Sequence, residues 1–551
     1  MSDIQVRYKN ETFDCLYGTM ADSLLARFKA DTKDVIAIKV NNEISPLKTR
    51  LSVNSVIETV TLDSLEGAMI YRRSLAFILA LAARKLFPGR SLYIGHSLGH
   101  SYYYTINAGD PLKEQEVAAL QKKMEEIVRE DLPITFKYLA YEEALDLFTK
   151  NQQRDTVLLL NQRSTSRIRV NECMDFLDLY VEPLVPHTGL LSCFELMPYQ
   201  EGLLLRFPAT GRNMSITPFE DQPKLFEVYN EYKKWGRTVG VRVVGDLNSL
   251  VASRTIRDYI RIAEAHQARK IANIAESIYE QKDAIKMVLL AGPSSSGKTT
   301  SAKRLSIELM VLGIKPLAMS LDDFYVGIDR TPKDAKGEPD FECLEALDIP
   351  LLNEQLQELY RGKEVSLPVY DFKTGNRSMV GGKKIRLDRN MVLIVEGIHA
   401  LNDALTPSIA RNTQYKLYVS ALTQLNLDDH NRIPTSDNRL LRRMVRDYQF
   451  RAKDAAATIK MWPTVQGGER KHIFPFQNTA DTAFNSALDY ELSVLKYLAD
   501  PLLRAVKPSQ LEYAEASRLL SFLANFAPIP PQHVPGTSIL REFIGDSEFK
   551  Y

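Results

Sequence analysis

Cysteine is scarce in this chain, and the scarcity carries the first exclusions. Of 551 residues four are cysteine, at Cys15, Cys173, Cys193 and Cys343, and none stands in a CxxC pair. That spacing argues against a disulfide framework or a zinc ribbon and fits a reducing compartment. Net charge is almost absent, with 70 Lys and Arg against 69 Asp and Glu, or +1. No global field therefore draws the protein to nucleic acid or a membrane surface, and any such contact has to be local. Long apolar runs are missing too. The longest, Leu75 to Ala83, ends at Arg84-Lys85, is too short to span a bilayer, and reads as a buried helix. The opening MSDIQVRYKN has no apolar signal core. The expectation is a soluble, cytoplasmic protein with no membrane partner. There is no fixed-period repeat and no low-complexity tract. What is present, 45% hydrophobic and 25% charged residues, is ordinary globular composition, at a length that predicts two to four domains.

Residues 1–62 read as a small α+β unit, with strands at Ile4 to Tyr8, Val35 to Val40 and Val53 to Leu62. From 63 to 220 the pattern changes. A helix over Tyr71 to Phe87 stops at Pro88-Gly89, an amphipathic helix covers Lys113 to Glu130, and Pro133 to Leu139 and Thr156 to Asn161 read as strands. Residues 221–286 are helix-rich, and Thr255 to Lys282, free of Gly and Pro, reads as a connecting arm. A new domain starts at 287 and ends near 508. Residues 509–551 hold one helix, Leu511 to Phe526, and a docked tail.

The apolar run Met287 to Ala291 leads into Gly292-Pro293-Ser294-Ser295-Ser296-Gly297-Lys298-Thr299-Thr300, a full G-x-x-x-x-G-K-[ST] match followed by a helix to about Leu312. Strand, glycine loop and helix open an α/β nucleotide-binding domain with a parallel sheet and helices on both faces. The glycines let the N–H groups of the loop converge on phosphate oxygens, and the helix turns its positive end to the same anion. Gly292, Ser294, Ser295, Ser296, Gly297, Lys298, Thr299 and Thr300 are thus the ATP-binding candidates, with Lys298 on the β/γ-phosphates and the Thr299 hydroxyl on Mg²⁺. Met391 to Val395 is a buried-strand pattern ending in Glu396, a second Mg²⁺ ligand either directly or through water. No N-K-x-D guanine-reading motif occurs, which counts against a GTPase.

Pro316 to Leu321 reads as the next strand, with Asp322-Asp323-Phe324-Tyr325 at its ligand-binding end. A carboxylate there accepts the proton of an attacking hydroxyl, with Asp322 first choice and Asp323 second, unless the pair caps a turn. Tyr370 and Phe372 in Leu367 to Phe372 either sandwich a flat base or pack a core. Arg439, Arg442, Arg443 and Arg446 fall mostly on one helical face. Such a face repels itself unless an anion lies near, as it does under a lid over transferring phosphates. The alternatives are a solvated basic helix and an RNA-binding patch.

In their order and spacing, GPSSSGKTT, SLDDFY, PVYDF, VEGIHAL and RLLRRMVRD resemble the uridine kinase and phosphoribulokinase family over about 287 to 500. The resemblance implies an ATP- and Mg²⁺-dependent kinase acting on a primary hydroxyl, most simply the 5′-hydroxyl of a uridine- or cytidine-like nucleoside. It puts Asp322 on the catalytic acid position, with Lys298 and Arg446 beside it in catalysis. Tyr325, Tyr370, Phe372 and Glu342 fall on nucleoside-pocket positions, and Arg443, Arg446 and Arg451 on lid and phosphate positions. Gly375 stands where the nucleoside enzymes use a base-contacting His, and Trp462-Pro463 and Phe474-Pro475-Phe476-Gln477 depart from the uridine kinase pattern. The same chemistry on another small alcohol, such as a sugar phosphate or vitamin precursor, is the alternative.

The N-terminal half resembles two further modules. Residues 1–62 look like a TGS domain, and 63–220 like the second additional (editing) domain of threonyl-tRNA synthetase, through Leu86-Phe87-Pro88, Ile94-Gly95, Tyr102-Tyr103-Tyr104 and Asp178 to Pro186. His96-Ser97-Leu98-Gly99-His100 imitates the editing module's first His pair. Alignment instead puts the module's two His, Cys and His at Arg73, Phe77, Tyr180 and Leu184. Arg, Phe and Leu cannot replace imidazole or thiolate as Zn²⁺ ligands or proton acceptors, and a Tyr hydroxyl is a poor substitute. The resemblance therefore implies a catalytically dead editing-like domain with no zinc. By analogy it also raises RNA contact through the N-terminal modules and an RNA-associated, ATP-dependent regulatory role. A homo-oligomer is a separate expectation.

Overall fold

Ile4, Val6 and Tyr8 turn inward from the strand Asp3–Tyr8 and begin a five-stranded sheet. Its order is Glu11–Leu16, Asp3–Tyr8, Ser55–Thr61, Val35–Val40, Glu43–Ser45, and the helix Ala21–Arg27 packs Leu24 and Leu25 on it. The computed structural model describes residues 3–27, 34–106, 111–163, 165–180, 182–209, 214–333, 337–371 and 374–550. Phe372 lies outside these residues.

Ser64 starts the helix Leu65–Leu86 by accepting a hydrogen bond from the Gly67 N–H at 2.9 Å, and Leu75 to Ala83 are fully buried in it. This helix is the core of the second unit, with a four-stranded antiparallel sheet (Glu195–Tyr199, Gly202–Arg206, Ser101–Ile106, Leu92–Ser97) and a three-stranded one (Phe176–Asp178, Arg167–Cys173, Thr135–Ala140). The expected strand at Thr156 to Asn161 is instead the helix Arg154–Leu160. Asp155, Thr156, Leu159 and Leu160 are its buried residues, and a short apolar run such as Val-Leu-Leu-Leu carries no period that separates the two.

The expected arm is not free either. The helix Ile256–Glu280 buries Ile260, Ala263, Ile271, Ile274 and Ile278 in the same core as the domain that follows. Tyr259 donates to Asp489 at 2.9 Å, Tyr490 to Glu264 at 2.6 Å and Arg304 to Gln267 at 2.9 Å.

That domain is a parallel sheet of β1 (Met287–Ala291), β2 (Lys315–Ser320), β3 (Met391–Glu396), β4 (Gln414–Ser420) and β5 (Thr482–Asn485), in the order β2-β3-β1-β4-β5. Both faces are covered, which explains why β1 reads as an unbroken apolar run. Val288 and Leu290 face α1 (Lys298–Val311), while Met287 and Leu289 face the helix Ile349–Tyr360. The register pairs Glu396 with both Leu290 and Ser320, so the phosphate-binding loop, Asp322 and Glu396 emerge together at the carboxyl edge. Beyond β4 come α2 (Thr435–Arg451) and α3 (Ala455–His472). The C-terminal tail docks as expected, with Ile539, Leu540 and Phe543 fully buried.

The segment between β4 and α2 also docks on the N-terminal half. Asp429 O accepts from the Ile94 N–H at 2.8 Å, and Asn426 and Asn431 donate to Ile94 O and Leu179 O at 2.6 and 2.9 Å. His430 Nδ1 lies 2.7 Å from the buried Asp178 carboxylate. Burial lowers the pKa of His430, but Asp178 more than offsets it and raises the group to about 9. Breaking such a pair on one side strands a buried charge, so His430→Ala should cost about 3–5 kcal/mol, read from denaturant unfolding of the full chain. A raised histidine pKa stabilises fully below about 6.5 and is lost as pH climbs through about 9. The wild-type unfolding midpoint should therefore fall over that window, and the variant's should fall less.

Candidate active site

Two residues in the left-handed region shape the loop after β1, Ser295 at φ 57° and Gly297 at φ 80°. Together they turn successive N–H groups to one side, forming an anion-binding nest. Gly292 admits no side chain, because a Cβ there would lie 1.9 Å from Val419 O on β4. The N–H groups of Gly297, Lys298 and Thr299 at the start of α1 make no hydrogen bond among the described residues, which leaves them free for an anion. Lys298 Nζ is folded back on Gly292 O and Pro293 O at 2.9 and 3.2 Å. Burial lowers its pKa, against the pull of Glu396, Asp322, Glu542 and Glu469.

The flanking N–H groups are occupied by the chain's own carboxylates. Ser294 N–H donates to Glu469 on α3 at 2.9 Å. Thr300 gives its N–H and its hydroxyl to Glu542 in the tail, at 3.1 and 2.7 Å. Ile539 covers the Gly297 Cα, where an added Cβ would meet it at 2.6 Å. Glu542 and Glu469 were not singled out in the sequence. No local motif marks them, since each reaches the loop only through the fold.

Arginines of α2 hold this arrangement. Arg439 pairs with Glu469 and donates to Ser294 O, and the fully buried Arg442 pairs with Glu491 and donates to Ser295 O. Arg443 donates to Ser294 Oγ at 2.7 Å. Arg443, Arg446 and Arg451 surround the buried Asp447 at 3.2, 2.9 and 3.7 Å. Among the described residues, the anions paired with this basic face are thus Glu469, Glu491 and Asp447, while Arg446 still opposes the charge of Arg443 and Arg451.

On the acceptor side Asp322 lies in the first turn of the short 3-10 helix Leu321–Phe324, its N–H donating to Ser320 Oγ at 3.3 Å. Its side chain opens to solvent at the cleft mouth while protein on the other sides desolvates it. That desolvation raises its pKa, with Lys298 and Arg451 opposing. Asp323 turns away and accepts from the Tyr370 N–H at 3.4 Å. Glu342 is raised to about 7 by burial and by Glu469, and it packs on Gly468 of α3. Tyr325 and Tyr370 are buried with ring centroids 5.3 Å apart. Glu396, raised to about 7 chiefly by burial, shares a hydrogen bond with Thr299, and its second oxygen has no partner among the described residues. A hydroxyl beside a buried, orphaned carboxylate fits a hard divalent cation.

Residues 287–493 match the model of the Phosphoribulokinase / Uridine kinase family. This stretch is a domain of that family. The N-terminal region is similar to threonine–tRNA ligases. One from Desulforamulus reducens is 32% identical over 166 residues, 30% of this chain and 26% of that protein. One from Aquifex aeolicus is 29% identical over 233 residues, 42% and 34% of the two chains. The chain spans about a quarter of the length of the ligases it matches first. Among solved structures, a possible uridine kinase from Bacillus stearothermophilus is 21% identical, with 39% of this chain and 98% of that one covered and a TM-score of 0.27. D-glycerate 3-kinase from Cryptococcus neoformans is 17% identical, with 47% and 87% covered and a TM-score of 0.22.

Outside the kinase-family domain, the four positions aligned with the editing module's metal ligands come together. Phe77 and Tyr180 meet edge to face at 5.8 Å, Arg73 pairs with Glu182 and donates to Pro183 O at 3.1 Å, and Leu184 is buried. An apolar pair beside a guanidinium does not fit Zn²⁺. His96 is buried on its strand, and His100 is exposed in the turn that follows.

Glu542 and a nucleotide phosphate need the same Thr300 donors. Glu542→Ala should therefore tighten ATP binding several-fold in equilibrium dialysis, whereas Lys298→Ala should weaken it.

Proposed function

We propose that this protein transfers the γ-phosphate of ATP to the 5′-hydroxyl of a nucleoside, uridine- or cytidine-like, in the kinase-family domain. The observation that carries the reading is the convergence at one sheet edge of three free N–H groups, Lys298, Asp322 and the Thr299–Glu396 pair. In this reading the N–H groups of Gly297 to Thr299 and the Lys298 ammonium bind phosphate oxygens. Thr299 and Glu396 hold Mg²⁺, which when bound neutralises charge on the phosphates. Asp322 orients the acceptor hydroxyl and takes its proton as the oxygen–phosphorus bond forms. Arg443, Arg446 and Arg451 supply positive charge across the cleft. Tyr325 and Tyr370 form an aromatic wall close to Asp322, and Glu342 is the nearby acceptor for a ribose hydroxyl.

A second reading keeps the chemistry and replaces the nucleoside with a sugar phosphate or vitamin precursor. The burial of Tyr370 against Tyr325 favours it, because that ring is not open for stacking. The similarity to threonine–tRNA ligases supports RNA contact through the N-terminal half as a further property.

ADP release with ATP, Mg²⁺ and a panel of nucleosides and sugar alcohols separates the two readings, and silence across the whole panel removes both. Asp322→Asn should lower turnover by about 10²–10⁴-fold with ATP binding largely retained. Near-normal turnover in that variant takes Asp322 out of the mechanism. A carboxyl raised to about 7 is protonated below that pH and a poor cation ligand. The rate at limiting Mg²⁺ should climb as pH passes about 7, and Glu396→Gln should abolish that climb.

A further inference from the structure

A cleft of about 770 Å³ lies between the N-terminal half and the kinase-family domain, and its lining includes neither Asp322 nor Arg73 and Phe77. One wall carries Arg72 and the turn from His96 to His100, and the other carries Arg432, Arg439 and Arg470. Arg439 is neutralised by Glu469. Arg72, Arg432 and Arg470 have no carboxylate within 4.0 Å among the described residues. They also feel one another. Burial lowers the pKa of Arg72, and the charges of Arg470 and Arg432 lower it further. Arg72 Nε, Arg432 Nε and His96 Nδ1 are buried and have no hydrogen-bond partner among the described residues. Three like charges held around one cavity repel, and buried donors without acceptors cost free energy. An anion with several oxygens in the cleft relieves the repulsion.

We infer that this interdomain cleft is a binding site for a small molecule carrying two or more phosphate groups. Planar guanidinium forks match phosphate oxygens in pairs, and Arg72 and Arg432 line the cleft with one terminal nitrogen each already donating, to Ala209 O at 2.7 Å and to Ser97 Oγ at 3.3 Å. The volume falls in the range of small-molecule sites. Phe219, Phe474 and Tyr418 add an aromatic side to the lining, suited to a ligand with an apolar part beside its phosphates. The site adjoins the loop that would take ATP, with Pro293 and the Arg439–Glu469 pair at its edge. It stands whether or not the nucleoside reading does.

Inorganic pyrophosphate is the probe, titrated calorimetrically into the full chain carrying Lys298→Ala so that the loop after β1 is disabled. One equivalent should bind. Adding Arg470→Glu, at an exposed side chain with no carboxylate partner, should weaken binding at least tenfold with the melting temperature unchanged, and Arg432→Gln should do the same. A dissociation constant weaker than about 1 mM for the Lys298→Ala chain overturns the assignment. So does equal binding with and without Arg470→Glu.

Discussion

A helix that opens with free N–H groups in a desolvated cleft attracts an anion, and in this protein the chain supplies two at its edges. Glu469 takes the Ser294 N–H and Glu542 takes the Thr300 N–H and hydroxyl, leaving Gly297, Lys298 and Thr299 open between them. Much of the site's surroundings follows from these bonds. Glu469 anchors Arg439 and hence α2 and α3 over the loop, while Glu542 anchors the tail whose Ile539 lies against Gly297. The carboxylates partly compensate the buried Lys298 ammonium, which keeps its pKa from falling further. A phosphate chain entering this cradle competes with groups already there.

The two halves of the chain are joined by more than a linker. The segment between β4 and α2 reaches into the N-terminal half through backbone bonds at Ile94 and the buried His430–Asp178 pair, then runs directly into the helix that grips the loop. The helix Ile256–Glu280 is shared in the same way, packed into the kinase-family core rather than standing free. In the N-terminal half, Phe77 and Tyr180 meet edge to face and Arg73 pairs with Glu182.

The legible parts of the sequence were those in which local pattern and chemistry coincide. The run Met287 to Ala291, the glycines at 292 and 297 and Glu396 at a strand end each needed one environment, and the sheet supplies it. Leu75 to Ala83 likewise became a buried helix. Thr156 to Asn161 misled because four apolar residues fit either period, and the Ile256–Glu280 helix read as an arm because its partner face lies in a distant segment. Glu469, Glu542 and the unpaired Arg72, Arg432 and Arg470 were illegible for a common reason. Their meaning is set by groups hundreds of residues away, and nothing beside them in the chain distinguishes them from ordinary surface charge. The arginines of α2 were read as a face in need of anions, and that need is met by Asp447, Glu469 and Glu491.

The most direct test is a crystal structure of the full chain with Mg²⁺ and a non-hydrolysable ATP analogue. The account predicts phosphates on the N–H groups of Gly297 to Thr300, the metal between Thr299 and Glu396, and the Glu542 carboxylate withdrawn from Thr300. A nucleotide bound elsewhere, with Glu542 still on Thr300 and Lys298 still folded onto Gly292 O, would contradict it.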